Sequence, residues 1–341
     1  MSKWLEGEGS DKDIVISSRI RLARNIKEYK FPHMLDDNTS SEIIEKVKKS
    51  VDNEKRVFNE CNFHQLKDMN IIQKNSYVEE HLISKGLVKN SDKSAFIIDN
   101  DEKQVVMVNE EDHIRIQVLL PGFNFERAWQ ICSSMDDAIE KNINYAFDER
   151  LGYLTACPTN VGTGLRVSAM VHLPCLVLTR QINKILQAVS QIGITIRGLY
   201  GEGTDISGNI FQISNQITLG ETEEEIIQKL KNIVLQILSK ERISREMILS
   251  KGKIAVEDKV FRAFGVLKNA RIISLNEAMK LLSDIRMGHA MGLIGNMDYF
   301  TINKLMIEVQ PFTIQKNNYT SSNQHEISIK RADILRKVLN K

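Results

Sequence analysis

Several features that would place this chain at once are missing. Its four cysteines, Cys61, Cys132, Cys157 and Cys175, are scattered and form no C-x-x-C pair, which argues against a zinc site and against a disulfide scaffold. A formal net charge of only +2 is too small to make nucleic acid or an anionic membrane the main partner. No apolar run approaches the roughly 18 residues of a membrane span, and the polar, acidic opening from Met1 to Asp13 has no signal-peptide character. No G-x-x-x-x-G-K-[ST] motif occurs, which excludes a P-loop enzyme. There remain 341 residues, 42% hydrophobic and 26% charged, ordinary for about two globular domains in a reducing cytoplasm.

The stretch Asn109-Glu110-Glu111-Asp112-His113-Ile114-Arg115 organises the reading. Three acids run into an alternating segment whose Ile114, Ile116 and Val118 point inward, leaving His113, Arg115 and Gln117 on a polar face. An acidic turn before an ordinary strand is the plainer alternative. Other strands, however, carry arginine in the same way. Ser17-Ser18-Arg19-Ile20-Arg21 lies in a strand from Asp13 to Arg24, with Arg19 and Arg21 on one face and Ile20 and Leu22 on the other. Two arginines so close repel each other unless an anion sits between them; a solvated edge strand is the competing reading. The strand from Leu165 alternates Arg166, Ser168 and Met170 against Val167 and Ala169, after a Gly162-Thr163-Gly164 loop able to bring backbone N–H groups to an anion. Arg197 ends the strand Ile194–Gly198, ahead of the loop Leu199-Tyr200-Gly201-Glu202.

Helices are expected at Thr39–Glu60 with Ser40 or Ser41 as cap, at Phe125–Ile143 with Ala128, Trp129, Cys132, Met135 and Ile139 inward, at Thr179–Gly193, and from Glu221 to about Lys240. Further strands are expected at 95–98, 105–108 and 209–219. His81 taken alone reads as a surface histidine. Cys132 reads as a small core residue, whereas Cys157, in a loop before Pro158, reads as exposed and reactive. Residues 241–341 are helical in period throughout and predict a separate all-helical domain after a catalytic domain over 14–240.

Arg19, Arg21, Arg115, Arg166 and Arg197 come from four well-separated strands, all on polar faces. Guanidinium groups converging on one sheet face need a polyanion, and the planar forks suit the phosphates of a nucleoside triphosphate. Carboxylates at Glu110-Glu111 and Glu202 would face a cationic acceptor beside those phosphates and could deprotonate a nitrogen nucleophile. The pattern predicts a phosphotransferase.

In these stretches, together with Cys157-Pro158-Thr159-Asn160, Arg197-Gly198 and Ser214-Asn215, the chain resembles the phosphagen (guanidino) kinases, and within them the bacterial protein-arginine kinases. The resemblance implies an α+β fold, an antiparallel sheet flanked by helices, followed by the helical C-terminal domain. It implies ATP with Mg²⁺ as donor, with the metal held by phosphates and water rather than by a protein ligand. The nucleotide would be held by Ser17, Ser18, Arg19, Ile20, Arg21, His81, Arg115, Arg166, Val167, Ser168, Ala169, Met170 and the run from Arg197 through Gly198, Leu199, Tyr200 and Gly201 to Glu202. Glu111, with Glu110 beside it, and Glu202 would hold the acceptor guanidinium, with Glu111 as the base, and Cys157 would contact it as a thiolate. Met170 departs from the histidine of the metabolite enzymes. The Ser-x-Arg-x-Arg strand begins near Asp13, which leaves no room ahead of it for their helical domain. Arg331-Ala332 is all that remains of a C-terminal stretch by which many relatives sense phosphoarginine. Implied partners are arginine-bearing proteins, a CtsR-type stress repressor, the zinc-binding activator McsA and the Clp machinery, with no direct nucleic acid or membrane contact and a homodimeric state. A kinase for free arginine or another small guanidine, and a non-catalytic adaptor, are the alternatives.

Overall fold

The computed structural model describes residues 3–198, 207–295, 297–318 and 323–340. In chain order the strands are β1 (Val15–Arg24), β2 (Cys61–Gln65), β3 (Ala95–Asp99), β4 (Gln104–Val108), β5 (Ile114–Pro121), β6 (Phe147–Asp148), β7 (Gly152–Tyr153), β8 (Leu165–His172), β9 (Ile194–Gly198) and β10 (Ile210–Asn215). The helices are α1 (Asp37–Asn53), α2 (Ile71–Glu79), α3 (Lys85–Lys89), α4 (Phe125–Glu140), α5 (Pro174–Leu178), α6 (Ile182–Ser190), α7 (Glu223–Asn269), α8 (Leu275–Ala290), α9 (Tyr299–Glu308), α10 (Pro311–Asn318) and α11 (Gln324–Leu339). Eight strands form one sheet in the order β2-β3-β4-β5-β1-β8-β10-β9. The pairings of β1 with β5, β2 with β3, β3 with β4 and β4 with β5 are antiparallel. The α+β class with an antiparallel sheet is therefore the observed one. Because β1 lies inside the sheet, its arginines cannot be those of a solvated edge strand.

One compact unit comprises residues 1–9, 17–168 and 214–231. In it, Arg21 stands opposite Gln117, Arg19 opposite Leu119 and Ala23 opposite Arg115, so the arginines of β1 and β5 share a face. On the other face Ile20, Leu22, Ile114, Ile116 and Val118 are fully buried. Helices α1 and α4 pack there through Ile43, Val47, Ala128, Cys132, Met135 and Ile139. Removing that apolar area from water, at about 25 cal/mol per Å², is the main force holding the layer together.

Local chemistry shifts several expected boundaries. The cap of α1 is Asp36, whose carboxylate accepts from Thr39 N at 2.7 Å; the hydroxyls of Ser40 and Ser41 instead donate to the carbonyls of Asp36 and Asp37. The helix stops at Asn53, short of Glu60. Trp129 is only half-buried. His113 is not on an open polar face: it is fully buried, with Nδ1 accepting from Ile26 N and Nε2 donating to Lys30 O. Burial pushes its imidazole down to about 4 and keeps it neutral.

The second unit comprises residues 10–16, 169–213 and 232–341. Here α6 begins at Ile182 rather than Thr179, because Pro174 starts the separate short helix α5 and Arg180 takes φ +58°. Helix α7 does not end near Lys240; it continues to Asn269 with one non-helical residue, Gly252. Arg286 and Arg331 are buried here on backbone carbonyls, the first on Lys12 O and Asp13 O, the second on Val309 O and Ile273 O. No described helix is long and apolar enough to cross a membrane.

Candidate active site

A cleft of about 190 Å³ in the first unit is lined by Arg21, Leu22, Ala23, Glu110, Glu111, Asp112, Arg115, Cys157, Thr159, Asn160, Gly164 and Arg166. Residues far apart in sequence reach it because β1, β5 and β8 each present a polar side chain on the same sheet face, while the loops 109–113 and 154–164 close one end. Arg19 adjoins the cluster through its Nε, which donates to Ser168 Oγ at 3.3 Å.

Charge in this cleft is segregated, with arginines on the strands and three acids in the loop at one end. Glu110 accepts from Arg115 Nη1 at 2.6 Å and from the Ser84 hydroxyl. Burial would raise the Glu110 carboxyl, but Arg115 and the Ser84 hydrogen bond hold it below the usual carboxylate range. Arg19 is pushed down to about 10, first by burial and then by Arg115 and Arg166. Arg21 is lowered further, by burial and by the same neighbours together with Arg19, against one opposing carboxylate, Glu110. The Arg21 Nε has no hydrogen-bond partner among the described residues. Desolvating a guanidinium is costly, and a phosphate chain supplies charge and acceptors together. The donor set therefore fits a polyphosphate.

The acidic triplet divides its roles. Glu111 is exposed at the cleft, Glu110 is tied to Arg115, and Asp112 is structural. Asp112 accepts from Asn25 Nδ2 at 2.6 Å and from Ala156 N at 2.7 Å, which joins the acidic loop to the loop carrying Cys157. Cys157 is half-buried, with its sulfur 3.1 Å from Thr159 Oγ1.

The expected glycine anion loop is built differently. The amides of Gly162 and Thr163 donate to Tyr153 O and Thr218 O. A Cβ at Gly162 would stand 2.1 Å from Thr218 O, and one at Gly164 2.5 Å from Ala23 O. These glycines permit close backbone packing beneath the cleft, and at positions 162 and 163 the amides are already used.

Other expected residues are placed as follows. Ser18 is buried, its hydroxyl donating to Gly122 O and accepting from Asn124 N. Ser17 is buried, and Ile20 and Val167 are fully buried. His81 is half-buried rather than on the surface, at φ +62°, and burial and Arg19 push its imidazole down to about 3. Ala169, Met170, Arg197 and Gly198 belong to the second unit, where Met170 is buried and Arg197 and Gly198 are exposed. Leu199, Tyr200, Gly201 and Glu202 lie outside the described residues. Ser84, Asp112 and Asn25 support the site without having been expected. The pattern Ser84-x-x-Leu87 could have marked an N-cap, since Ser84 Oγ accepts from Leu87 N, but its reach to Glu110 is a tertiary contact.

Residues 42–244 match the family described as ATP:guanido phosphotransferase, C-terminal catalytic domain, and residues 253–341 match the protein-arginine kinase McsB C-terminal domain. The chain is 49% identical over 340 residues to a protein-arginine kinase of Clostridium kluyveri, covering 99% of each. It is 46% identical over 339 residues to a protein-arginine kinase of Clostridium novyi, covering 99% of this chain and 98% of the other. Among solved structures it is similar to a lombricine kinase, with a TM-score of 0.61 and 26% identity over 71% of this chain and 70% of that one.

Proposed function

Since the chain belongs to the ATP:guanido phosphotransferase family, we propose that it transfers the γ-phosphate of ATP to the guanidinium of arginine side chains in proteins. The observation that carries the chemistry is the meeting of the strand arginines with Glu110, Glu111 and Cys157 in one cleft. The full-length similarity to protein-arginine kinases supports the choice of acceptor.

In this reading Arg19, Arg21, Arg115 and Arg166 hold the phosphate oxygens and neutralise charge as the terminal bond breaks. An acceptor guanidinium lies against Glu110, Glu111 and Cys157. Its nitrogen forms the N–P bond, the bond from the β–γ bridging oxygen to the γ-phosphorus breaks, ADP leaves, and the released proton passes to Glu111. Glu110, already fixed by Arg115 and Ser84, orients the acceptor rather than taking the proton. The neutral His81 imidazole beside Arg19 suits contact with an uncharged nucleotide base. Magnesium, as the family resemblance implies, would be held mainly by the nucleotide's phosphates and by water. The roles of Ser17, Ser18, Ile20, Val167, Ser168, Ala169, Met170, Arg197, Gly198 and the stretch to Glu202 rest on the family resemblance.

The division into a catalytic part over 14–240 and a helical part over 241–341 belongs to the same reading. So do a cytoplasmic homodimer and action on a CtsR-type repressor or on clients of the Clp machinery, with a zinc-binding activator. Incubation with ATP and an unfolded arginine-rich protein, with free arginine present in excess, tests the acceptor. Acid-labile phosphate on the protein is the expected result; phosphate mainly on free arginine, at the higher kcat/KM, would move the assignment to a metabolite kinase.

A further inference from the structure

A second pocket, of about 510 Å³, adjoins the cleft within the same unit. It shares Glu110 and Glu111 with the cleft and includes Ala156, the neighbour of Cys157, but none of the arginines lines it. Its remaining wall comes from the segment 32–40 and from Asn90, Lys93 and Asn109. It therefore opens on the side of the carboxylate pair where no phosphate-binding group stands. An arginine whose guanidinium lies between Glu111 and Cys157 must lead its aliphatic stem and backbone out of the cleft, and this pocket lies at that end.

We propose that this pocket is the subsite for the polypeptide flanking the acceptor arginine, and that it selects neutral or basic flanks over acidic ones. The inference rests on the protein-arginine reading and deepens it. The volume falls within the range of pockets that enclose a side chain with its backbone. The Ser40 hydroxyl and the Asn90 and Asn109 amide N–H groups are held by backbone carbonyls and fix the wall, while Asn109 Oδ1 has no partner among the described residues. Pro32, Leu35 and Ala156 give the wall apolar contact, making it a mixture suited to a peptide N–H and a small side chain. Its charges are largely committed. Lys93 Nζ holds Asp37 at 2.9 Å and Leu35 O at 3.0 Å, and Glu110 is bound to Arg115. The exposed Glu111 carboxylate sets the local sign. A flanking aspartate or glutamate, and equally the free α-carboxylate of the amino acid, would meet a like charge there.

The test measures kcat and KM for three acceptors: N-acetyl-arginine methylamide, which has no flanking residues, and two pentapeptides with central arginine flanked by leucine or by glutamate. His33 lines the pocket and is exposed, and it has no part in the proposed chemistry, so His33→Trp can narrow the pocket without touching the cleft. Wild-type enzyme should show a KM for the leucine peptide about tenfold below that for the methylamide, with the glutamate peptide no better than the methylamide. His33→Trp should raise the leucine-peptide KM towards the methylamide value and leave methylamide turnover unchanged. Lys93→Ala, which releases Asp37 into the rim, should penalise the glutamate peptide further. Peptides phosphorylated with a KM indifferent to flank and to both variants would overturn the subsite while leaving the acceptor class intact. Free arginine outperforming all three acceptors would overturn both.

Discussion

Strand β1 carries two arginines three residues apart, Arg24 buried and Arg21 half-buried at the cleft, and they live under opposite conditions. Arg24, on the helix-covered face, is ion-paired with Asp136 at 2.6 Å. It also donates to Ala23 O and Thr163 O and stacks on Tyr153 with its guanidinium carbon 3.5 Å from the ring centre. Although burial alone would lower it, Asp136 raises its pKa above the ordinary arginine value. Arg21, on the cleft face, faces Arg115, Arg19 and Arg166 against the single carboxylate Glu110, and its pKa falls. The first arginine is neutralised by the fold. The second has Glu110 as a nearby carboxylate among three other arginines, an arrangement suited to an incoming anion.

Replacing each arginine by methionine tests that contrast directly. Arg21→Met should reduce turnover by about 10³-fold or more, the scale at which a transition-state arginine acts in phosphoryl transfer. Its melting temperature should stay level or rise, because a half-buried charge facing three other arginines is gone. A melting point well below wild type would show that Arg21 supports the fold and would break the comparison.

Glu111→Gln comes next. The exposed carboxylate makes no ion pair found among the described residues, so the variant should fold and bind ATP normally. It should lose on the order of 10²–10⁴-fold in kcat, the contribution of a positioned general base. Near wild-type kcat would remove Glu111 from that role.

Arg24→Met should show the reverse of Arg21→Met, losing about 3–5 kcal/mol of stability because Asp136 is left buried and unpaired. Denaturant unfolding gives the stability. Rescue in the double variant Arg24→Met with Asp136→Leu would sharpen the assignment to the pair, and an Arg24→Met protein as stable as wild type would dissolve it.

The smallest effect repeats the contrast among the thiols. Cys132 and Cys175 are buried, and burial and Asp99 push the half-buried Cys61 thiol up to about 11. At pH 8 Cys61 is then almost entirely thiol, and its thiolate fraction grows only as pH rises towards that value. Cys157, at the cleft, should be the first cysteine alkylated, and ATP with acceptor should slow the reaction. Mass spectrometry of the singly modified protein identifies the site; Cys61 as the first product would show that the cleft does not favour reaction at Cys157.

The alternation of residues along β1, β5 and β8 already assigned arginine to one face and aliphatics to the other, because a strand turns successive side chains by half a turn whatever surrounds it. That local rule sufficed to put Arg19, Arg21, Arg115 and Arg166 on the polar side of their own strands, and helical spacing of apolar stripes located most helices; the antiparallel pairing was an expectation from the family resemblance. The local rule could not assign the three acids Glu110, Glu111 and Asp112, which are chemically alike and adjacent. Their division into an oriented carboxylate, an exposed one and a structural one depends on Ser84, Arg115, Asn25 and Ala156 reaching them from elsewhere in the chain. Nor could it assign Gly162 and Gly164, where the requirement for glycine is set by Thr218 O and Ala23 O pressing against them. His113 looked like a polar-face residue and is a buried neutral hydrogen-bonding post, since Ile26 N and Lys30 O close around it. Periodicity determines which way a side chain leaves its own element. What that side chain meets there, and therefore its charge state and its part in the chemistry, was decided only by the packing of segments distant in sequence.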